Sequence, residues 1–358
     1  MLFCHTKKRM ESTPAPLPVP DFPPRLLVDV QGGYCNLKCP KCWVHGPDDN
    51  ESLRALRGRM SLEDARKILD EVMAAKPAFQ PNMWTEPLLA KNFKEHMRAV
   101  KERGIPASFN TNGLLLDDEM AAFLVEIKLD SIFISIDATK KETLMKTRGT
   151  DKLDEIEKAV FTMLKARGEG TLPRIGVSFT EEAANFAERE EFVAKWLPHV
   201  DVIRIGERYE DEGRVKRVPL PEHRTPCGAL YDTMAVQFNG NVSLCCLDGF
   251  HQTNVGNVIK DGVHAVWHGE ELTKVRHYHE TGQWDKVPFC KNCNVWAKYD
   301  YEETIRDGVL VRSSPLMTYY NRIDKLDTWK EENRAGHVTK LIDTAKSEMR
   351  EQRTAAGV

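Results

Sequence analysis

The stretch Gly32–Pro47, GGYCNLKCPKCWVHGP, places Cys35, Cys39 and Cys42 within eight residues. A structural zinc site is closed by four Cys or His ligands, and a [4Fe–4S] cluster also takes four thiolates. A loop that supplies only three thiolates leaves one iron of such a cluster open to a ligand that is not protein, which is a catalytic arrangement. The alternative is a small zinc site in which His45 provides the fourth ligand.

The composition of the chain favours a cytoplasmic protein with a small or neutral substrate. Its 358 residues are 41 % hydrophobic and carry a formal net charge of −3, which permits a large core and offers no basic surface to nucleic acid. The sequence shows no signal peptide and no run of about 18 apolar residues, which argues against a membrane partner. Nine cysteines then indicate metal binding or catalysis, because the cytosol keeps thiols reduced.

Strand-like and helical segments alternate between residues 25 and 208. In the first helical segment, SLEDARKILDEVMAA, Ser61 is the cap and the apolar positions share one face. This alternation predicts an α/β fold with a parallel sheet whose chemistry lies at the carboxyl ends of the strands. Phe109, Ile134 and Val177 are assigned to the core. The six strand-like segments are RLLVDV (25–30), QPNMW (80–84), ASFN (107–110), SIFISID (131–137), RIGVSF (174–179) and DVIRI (201–205).

The spacing C-x3-C-x2-C after a first strand, in a run of βα units, closely resembles the radical S-adenosylmethionine (radical SAM) superfamily. The resemblance implies that S-adenosylmethionine chelates the open iron of a [4Fe–4S] cluster held by Cys35, Cys39 and Cys42. In that family an electron from the cluster cleaves the sulfonium, and the resulting 5′-deoxyadenosyl radical abstracts hydrogen from the substrate. The implied fold is a partial (βα)6 TIM-like barrel.

Segments at the next strand ends carry the same resemblance in the same order. WTEPLL resembles the family's Gly-Gly-Glu-Pro segment, with Trp84 and Thr85 in the glycine positions. It implies that the backbone near Thr85 and the Glu86 carboxylate receive the methionine ammonium. FNTNG, which contains Asn112, resembles the end of the third strand and implies a cofactor contact there, although TNG alone is also a common turn.

Two further segments extend the implied cofactor site. SIDA resembles the end of the fourth strand and implies that Ser135 and Asp137 lie near the ribose. KTRG resembles the segment whose arginine, here Arg148, meets the methionine carboxylate. The alternative for Arg148 is a solvated cation at a helix end.

A second cysteine pattern consists of Cys227, Gly240, Cys245 and the pair Cys290 and Cys293. It resembles the auxiliary-cluster domain of the SPASM/twitch group within the superfamily. No cysteine follows Cys293, so the resemblance is to the shorter twitch form with one auxiliary [4Fe–4S] cluster held by the four cysteines. A structural zinc ribbon is the alternative.

Cys246 is left over beside this pattern. Since neighbours on a strand face apart, Cys246 is expected to point away from Cys245 and to be an inert buried thiol. The alternative is that it returns a hydrogen atom to a substrate radical, as in radical epimerases. Cys4, near the start of the chain, is expected to have no role.

The chain is expected to contain an N-terminal arm (1–24), the radical SAM barrel (25–218), the twitch-like auxiliary domain (219–296) and a helical C-terminal extension (297–358). Within the auxiliary domain, FNGNVSL predicts a hairpin with Asn239-Gly240 as its two-residue turn.

The twitch spacing resembles that of aminocyclitol dehydrogenases of antibiotic biosynthesis. It implies a radical SAM oxidoreductase acting on a polyol, aminocyclitol or sugar-like metabolite, with the auxiliary cluster as electron acceptor and a flavodoxin or ferredoxin as electron donor. One alternative is modification of a ribosomally made peptide, although only 34 residues precede Cys35, fewer than a leader-recognition domain needs. A zinc-stabilised regulatory or scaffold protein is the alternative from another class.

Overall fold

The computed structural model describes residues 18–46, 53, 54, 56–209 and 219–328. The strands are β1 (Arg25–Val28), β2 (Gln31–Gly32), β3 (Gly58–Arg59), β4 (Ala78–Gln80), β5 (Ser108–Thr111), β6 (Ser131–Ser135), β7 (Arg174–Glu181), β8 (Val202–Glu207), β9 (Thr233–Val236), β10 (Val242–Ser243), β11 (Glu302–Arg306), β12 (Val309–Ser314) and β13 (Met317–Arg322). The α-helices are α1 (Leu62–Val72), α2 (Phe93–Glu102), α3 (Asp118–Glu126), α4 (Lys141–Arg148), α5 (Leu153–Arg167), α6 (Arg189–Trp196), α7 (Ala229–Asp232), α8 (Val258–Asp261), α9 (Val263–Trp267), α10 (Glu270–Glu280) and α11 (Pro288–Lys291).

Six parallel strands form the centre of the molecule, as the sequence predicts. Hydrogen bonds pair β1 with β4, and β5, β6, β7 and β8 form a second parallel run. A parallel bridge between Phe79 and Ala107 connects the two runs. The expected α/β partial barrel is therefore confirmed.

Each strand sends alternate side chains to the helical layer and to the barrel interior. Phe109, Ile134 and Val177 are buried in the helical layer, as expected from the sequence. Helix α1 begins at the predicted cap, where Ser61 Oγ accepts a hydrogen bond from Asp64 N at 3.0 Å. Burial of one face of each helix against the strands thus leaves the interior face free for a site.

The second strand lies earlier than its predicted span. β4 covers Ala78–Gln80, whereas the prediction began at Gln80 and ended at Trp84. Pro81 has no N–H to continue the ladder. The following residues form a turn in which Asn82 Nδ2 donates to Thr85 O at 3.0 Å, so Trp84 and Thr85 belong to the loop at the strand end.

The predicted hairpin is formed by β9 and β10. Its turn differs from the prediction: Gln237 N donates to Asn241 O at 2.8 Å and Gly240 N donates to Gln237 O at 2.9 Å. The turn is therefore centred on Phe238 and Asn239. Gly240, at φ 81°, is the bulge residue, since positive φ favours glycine. β9 also pairs in parallel with β1, so the auxiliary segment extends the barrel sheet.

The segment after residue 301 corrects the predicted helical extension. β11, β12 and β13 form an antiparallel meander, and β13 pairs antiparallel with β8. The helical prediction is wrong for residues 302–322, where the unpaired edge of β8 supplies hydrogen-bond partners that a local sequence pattern does not contain. The charged stretch 329–353 that motivated the helix lies outside the described residues.

The described part of the N-terminal arm, residues 18–24, contacts helix α9 and His268, the residue that follows it. Trp267 Nε1 donates to Pro20 O at 2.9 Å, and His264 Nε2 lies 3.2 Å from Asp21 Oδ1. Residues 1–17, including Cys4, lie outside the described residues. Within the described residues, no helix combines the length and the apolar character that crossing a membrane requires.

Candidate functional site

The first cysteine group occupies the loop between β2 and β3, close to the carboxyl end of β1. Cys42 N donates to Cys39 O at 2.9 Å, and His45 N donates to Cys42 Sγ at 3.3 Å. Burial, together with Glu86 and the neighbouring thiolates, raises the pKa of Cys35 to about 12. Burial raises the pKa of Cys42 as well, so these two thiols ionise only beside a compensating positive charge such as a metal cluster.

Asp137 is the charged centre of the strand ends. It is fully buried, and its Oδ2 accepts hydrogen bonds from Lys41 Nζ at 2.6 Å and from Arg148 Nε at 2.7 Å. Its Oδ1 accepts from Thr180 N at 2.5 Å. Although burial opposes ionisation, Arg148 and Lys41 hold the pKa of Asp137 at about 2. Asp137 is therefore a carboxylate committed to positioning two cations.

Arg148 is buried, which makes the surface-cation alternative wrong. Its Nη groups make no hydrogen bond within the described residues, and its guanidinium interacts electrostatically with Cys39 and Cys35. The turn after α4 brings it there: Gly149 adopts φ 67°, and a Cβ at Gly149 would lie 3.0 Å from Lys38 O in the cysteine loop. Arg148 thus presents donors beside the cysteine loop.

Lys41 is a site residue that sequence analysis did not select. It lies between Cys39 and Cys42, and its ammonium is buried against Asp137, with Glu182 Oε1 at 3.9 Å. Burial lowers the pKa of Lys41, and Asp137 opposes that change. Its position inside the cysteine motif was the only sign in the sequence that Lys41 belongs to the site. Its partner, Asp137, is 96 residues away in the sequence.

Glu86 is satisfied by the protein itself. It is buried, its Oε1 accepts from Thr111 Oγ1 at 2.8 Å, and its Oε2 accepts from Asn112 N at 2.8 Å. Asn112 Nδ2 in turn donates to Asn36 Oδ1 in the cysteine loop at 2.6 Å. Glu86 and Asn112 therefore tie the second and third strand ends to the cysteine loop, and their roles in binding the methionine ammonium and cofactor stay predictions.

Of the two residues that replace the glycines, Trp84 contacts both cysteine regions, and Thr85 makes no hydrogen bond to either region within the described residues. The Trp84 ring lies 4.4 Å, centroid to centroid, from the Trp43 ring in the first loop. Its Nε1 donates to Cys246 O at 2.8 Å. Thr85 is buried, and its Oγ1 donates to Asp29 Oδ1 at 3.3 Å.

Asp29 is a second residue that sequence analysis missed. It follows β1, and its N–H continues the ladder to Val236 O. Val28 and Val30 line a cavity beneath α1, so strand alternation directs Asp29 to the barrel interior. Its Oδ1 accepts from Met83 N at 2.7 Å, while its Oδ2 accepts no hydrogen bond from the described residues. Burial raises the pKa of Asp29 to about 7.

Ser135, expected near the ribose, lies on the interior face of β6. Its Oγ accepts a hydrogen bond from Ser178 Oγ on β7 at 3.1 Å. The two hydroxyls form a polar patch between neighbouring strands. Ser135 is the last residue of β6 and precedes Asp137 by two positions. Its contact with the cofactor stays a prediction.

The second cysteine group encloses one cavity, which is lined by Cys227, Cys245, Cys290 and Cys293 among apolar residues. Arg224 is beside it and donates to Cys290 O at 2.8 Å. Burial raises the pKa of Cys227 to about 11 and that of Cys290 to about 12. These four thiols form a complete ligand set around one space.

Cys246 does not point away from Cys245, which corrects the expectation. β10 ends at Ser243, so strand alternation does not extend to the two cysteines. Their side chains interact with each other, and the Cys246 thiol also interacts electrostatically with Tyr209 and Cys227. Cys246 therefore lies close to the thiols of Cys245 and Cys227, although it is not among the residues that line the auxiliary cavity.

The spacing of the thiols fits iron–sulfur clusters better than single ions. Two sulfur ligands of one tetrahedral zinc ion lie about 3.8 Å apart, given a Zn–S bond of about 2.3 Å. Among the described residues, the group of three potential ligand atoms within 4.8 Å of one another is Asp21, His264 and His268. Neither cysteine group meets this criterion, nor does one completed by His45, so the thiols lie farther apart than the ligands of a single zinc ion.

Comparison with known proteins agrees with this reading. Residues 31–188 match the model of the radical SAM superfamily, and residues 227–294 match that of the SPASM iron–sulfur cluster-binding domain. The cofactor-modifying protein of the tungsten-containing aldehyde ferredoxin oxidoreductase from Pyrococcus furiosus is 30 % identical over 173 residues, which cover 47 % of this chain and 46 % of that protein.

A cysteine-type anaerobic sulfatase-maturating enzyme from Clostridium perfringens is 27 % identical over 250 residues, 64 % of this chain and 66 % of the relative. The matches thus span less than two thirds of either curated relative. Among solved structures, BtrN in complex with AdoMet and 2-DOIA has a TM-score of 0.51 at 18 % identity and covers 75 % of this chain and 92 % of that one. This likeness shows a shared fold.

Proposed function

Because this chain belongs to the radical SAM superfamily and carries a SPASM iron–sulfur domain, we propose that it oxidises a polyol, aminocyclitol or sugar-like metabolite. The family assignment makes it an enzyme that uses S-adenosylmethionine, a [4Fe–4S] cluster that binds it, and an auxiliary cluster. When bound, these groups supply the radical that removes one hydrogen atom and an acceptor for the second electron. A cytoplasmic flavodoxin or ferredoxin is the proposed electron donor.

The complete ligand set of the auxiliary cavity carries this proposal. Four cysteines surround that space, so a cluster there has no open coordination position for substrate. Cys246, the neighbour of Cys245, interacts electrostatically with Tyr209, which follows β8 of the barrel. A fully coordinated cluster this close to the barrel is suited to electron transfer, which favours net oxidation of a substrate held in the interior.

Residues of this chain are assigned to each part of the site. Cys35, Cys39 and Cys42 hold the first cluster, and Cys227, Cys245, Cys290 and Cys293 hold the second. Arg148 binds the methionine carboxylate through its free Nη donors. The remaining proposed cofactor contacts are Thr85, Glu86, Asn112, Ser135 and Asp137, of which Asp137 acts by positioning Arg148 and Lys41.

Asp29 is proposed to accept the proton of the substrate hydroxyl. Oxidation of an alcohol to a ketone releases that proton together with the second electron. Asp29 Oδ2 is unpaired among the described residues, and a carboxyl with a pKa of about 7 can take up a proton near neutral pH.

An anaerobic incubation of the loaded enzyme with S-adenosylmethionine, a reductant and a metabolite panel tests the proposal. We expect 5′-deoxyadenosine and a product lighter by two hydrogens, formed in equal amounts. Asp29→Asn should preserve the binding of S-adenosylmethionine but lower product formation. A product formed only from peptides in the panel, or one of unchanged mass, would contradict oxidation of a small polyol.

A radical epimerase is the second candidate, because the Cys246 thiol interacts with Cys245 and Cys227 rather than pointing away from them. In that reaction the Cys246 thiol gives a hydrogen atom to the substrate radical and becomes a thiyl radical, which one electron from the proposed flavodoxin or ferredoxin and one proton convert back to the thiol. The product keeps the substrate mass. Deuterium from solvent in such a product, lost in Cys246→Ala, would replace the oxidase proposal by the epimerase.

A further inference from the structure

The register of the sheet places four polar side chains in one row across the barrel. Ser135 on β6 pairs with Ser178 on β7, which pairs with Arg204 on β8, which pairs with Tyr319 on β13. Side chains at paired positions share a face of the sheet. Ile203, a neighbour of Arg204 along the strand, is buried in the hydrophobic core, so the row faces the barrel interior.

Arg204 is the cation of this row, and neutral groups hold it. Its Nη2 donates to Asn110 Oδ1 at 3.0 Å. Its guanidinium carbon lies 4.8 Å from the centroid of the Phe133 ring. Asn110 belongs to β5 and Phe133 to β6, so these contacts span the interior and fix the plane of the guanidinium.

Arg204 has no carboxylate partner among the described residues, unlike the other cations near the strand ends. Lys41 and Arg148 share Asp137, and Arg208 pairs with Glu182. A half-buried guanidinium without an opposite charge is costly unless another molecule supplies that charge. Its Nη1 and Nε donate to none of the described residues and can donate to that molecule.

We propose that Arg204 binds an anionic group of the substrate, a carboxylate or a phosphate, inside the barrel. The inference rests on the proposed function and narrows the substrate to a sugar-like molecule that bears this group, such as a sugar acid or a sugar phosphate. A guanidinium fixed by a ring and an amide presents its remaining N–H groups in the fork geometry that matches both anions. The hydroxyl of Ser178 is the next donor along the row.

Binding of small anions to the loaded enzyme tests the site without turnover. Calorimetry with sodium gluconate and with inorganic phosphate, in the presence of S-adenosylmethionine, should show binding of at least one, and the preferred anion separates the carboxylate class from the phosphate class. Arg204→Gln should weaken that binding at least tenfold and leave the dissociation constant of S-adenosylmethionine unchanged.

Asn110→Asp is the second variant, because it keeps the shape of the site and gives Arg204 an internal carboxylate. It should also abolish anion binding, even if Arg204→Gln folds poorly. The matched control is Arg98→Gln, which removes an arginine over the Phe123 ring that is exposed and paired with Glu126. Anion binding in this control should equal that of the wild type.

Equal anion binding in the wild type, Arg204→Gln and Asn110→Asp, or none in the wild type, would overturn the proposal. A weaker affinity for S-adenosylmethionine in Arg204→Gln would overturn it as well and assign Arg204 to the cofactor. Anion binding that depends on Arg204, in an enzyme that oxidises no polyol in the panel, would refute the proposed function and leave the anion site standing.

Discussion

At the scale of single residues, the site depends on buried charges that are few and paired. Asp137 accepts from two cations through one oxygen, and this arrangement holds Arg148 beside the cysteine loop. Asp137 contributes stability above its unfolded pKa of about 3.9, and that contribution is lost only as the pH falls through its folded pKa of about 2. The Asp137 carboxylate is therefore ionised throughout the physiological pH range.

Arg148→Ala is expected to weaken binding of S-adenosylmethionine by tenfold or more without loss of iron. A partly desolvated guanidinium–carboxylate pair contributes a few kcal/mol, and about 1.4 kcal/mol corresponds to tenfold. Calorimetry of the loaded enzyme gives the dissociation constant, with Arg98→Ala as the exposed control. An unchanged constant with normal iron content would remove Arg148 from the cofactor site.

Asp29→Asn is expected to flatten the pH dependence of stability. The folded pKa of Asp29, about 7, lies above its unfolded value of about 3.9, so the wild type loses stability as the pH rises between these two values. The loss is at most about 4 kcal/mol, at about 1.36 kcal/mol per unit.

Asparagine does not ionise, and its Oδ1 keeps the bond from Met83 N. The melting temperatures of the cluster-loaded proteins at pH 5 and pH 8 measure the effect. The melting temperature of the variant minus that of the wild type should be larger at pH 8 than at pH 5. Asp118→Asn, an exposed position in α3, should follow the wild type. If the melting temperatures of Asp29→Asn and the wild type depend on pH in the same way, the pKa of Asp29 is not raised in the folded protein.

At the scale of elements, the two cysteine modules are joined by one loop after β4. Trp84 contacts Trp43 on one side and the Cys246 carbonyl on the other. A glycine there would make neither contact. Trp84, which stands at a glycine position of the family segment, therefore links the two cysteine-containing regions of this chain.

Trp84→Phe is expected to lower stability by about 1–2 kcal/mol and to retain all iron. It removes the hydrogen bond to the Cys246 carbonyl but keeps an aromatic ring and all seven proposed cysteine ligands. Thermal unfolding under anaerobic conditions measures the loss. Trp284→Phe is the control, because the Trp284 indole nitrogen donates to none of the described residues; equal melting temperatures for the two variants would argue against the link.

At the scale of the whole molecule, two separate sets of cysteines are the proposed ligands of two clusters. Simultaneous replacement of Cys35, Cys39 and Cys42 by Ala should abolish formation of 5′-deoxyadenosine and lower iron from about eight to about four per chain. Cys246→Ala, which spares both proposed ligand sets, should keep about eight. Retained 5′-deoxyadenosine in the triple variant, or a parallel loss of iron in Cys246→Ala, would refute the ligand assignment.

The sequence by itself determined what local patterns encode. Apolar periodicity and strand alternation predicted the parallel sheet, and the Ser61 cap and the strand core residues followed from the same short-range rules. The C-x3-C-x2-C spacing indicated the first metal-binding group, because ligands from one loop are close in sequence, whereas the auxiliary set, from Cys227 to Cys293, was predicted from the family resemblance.

Only the tertiary structure decided what depends on distant partners. Lys41 meets Asp137 across 96 residues, and Arg204 meets Asn110 across 94, so no local pattern reveals either contact. β13 forms on the free edge of β8. Cys246 stays close to Cys245, because β10 ends at Ser243 and strand alternation does not continue. Hydrogen bonding and charge pairing across the barrel are set by which strands become neighbours, and that is a property of the folded chain.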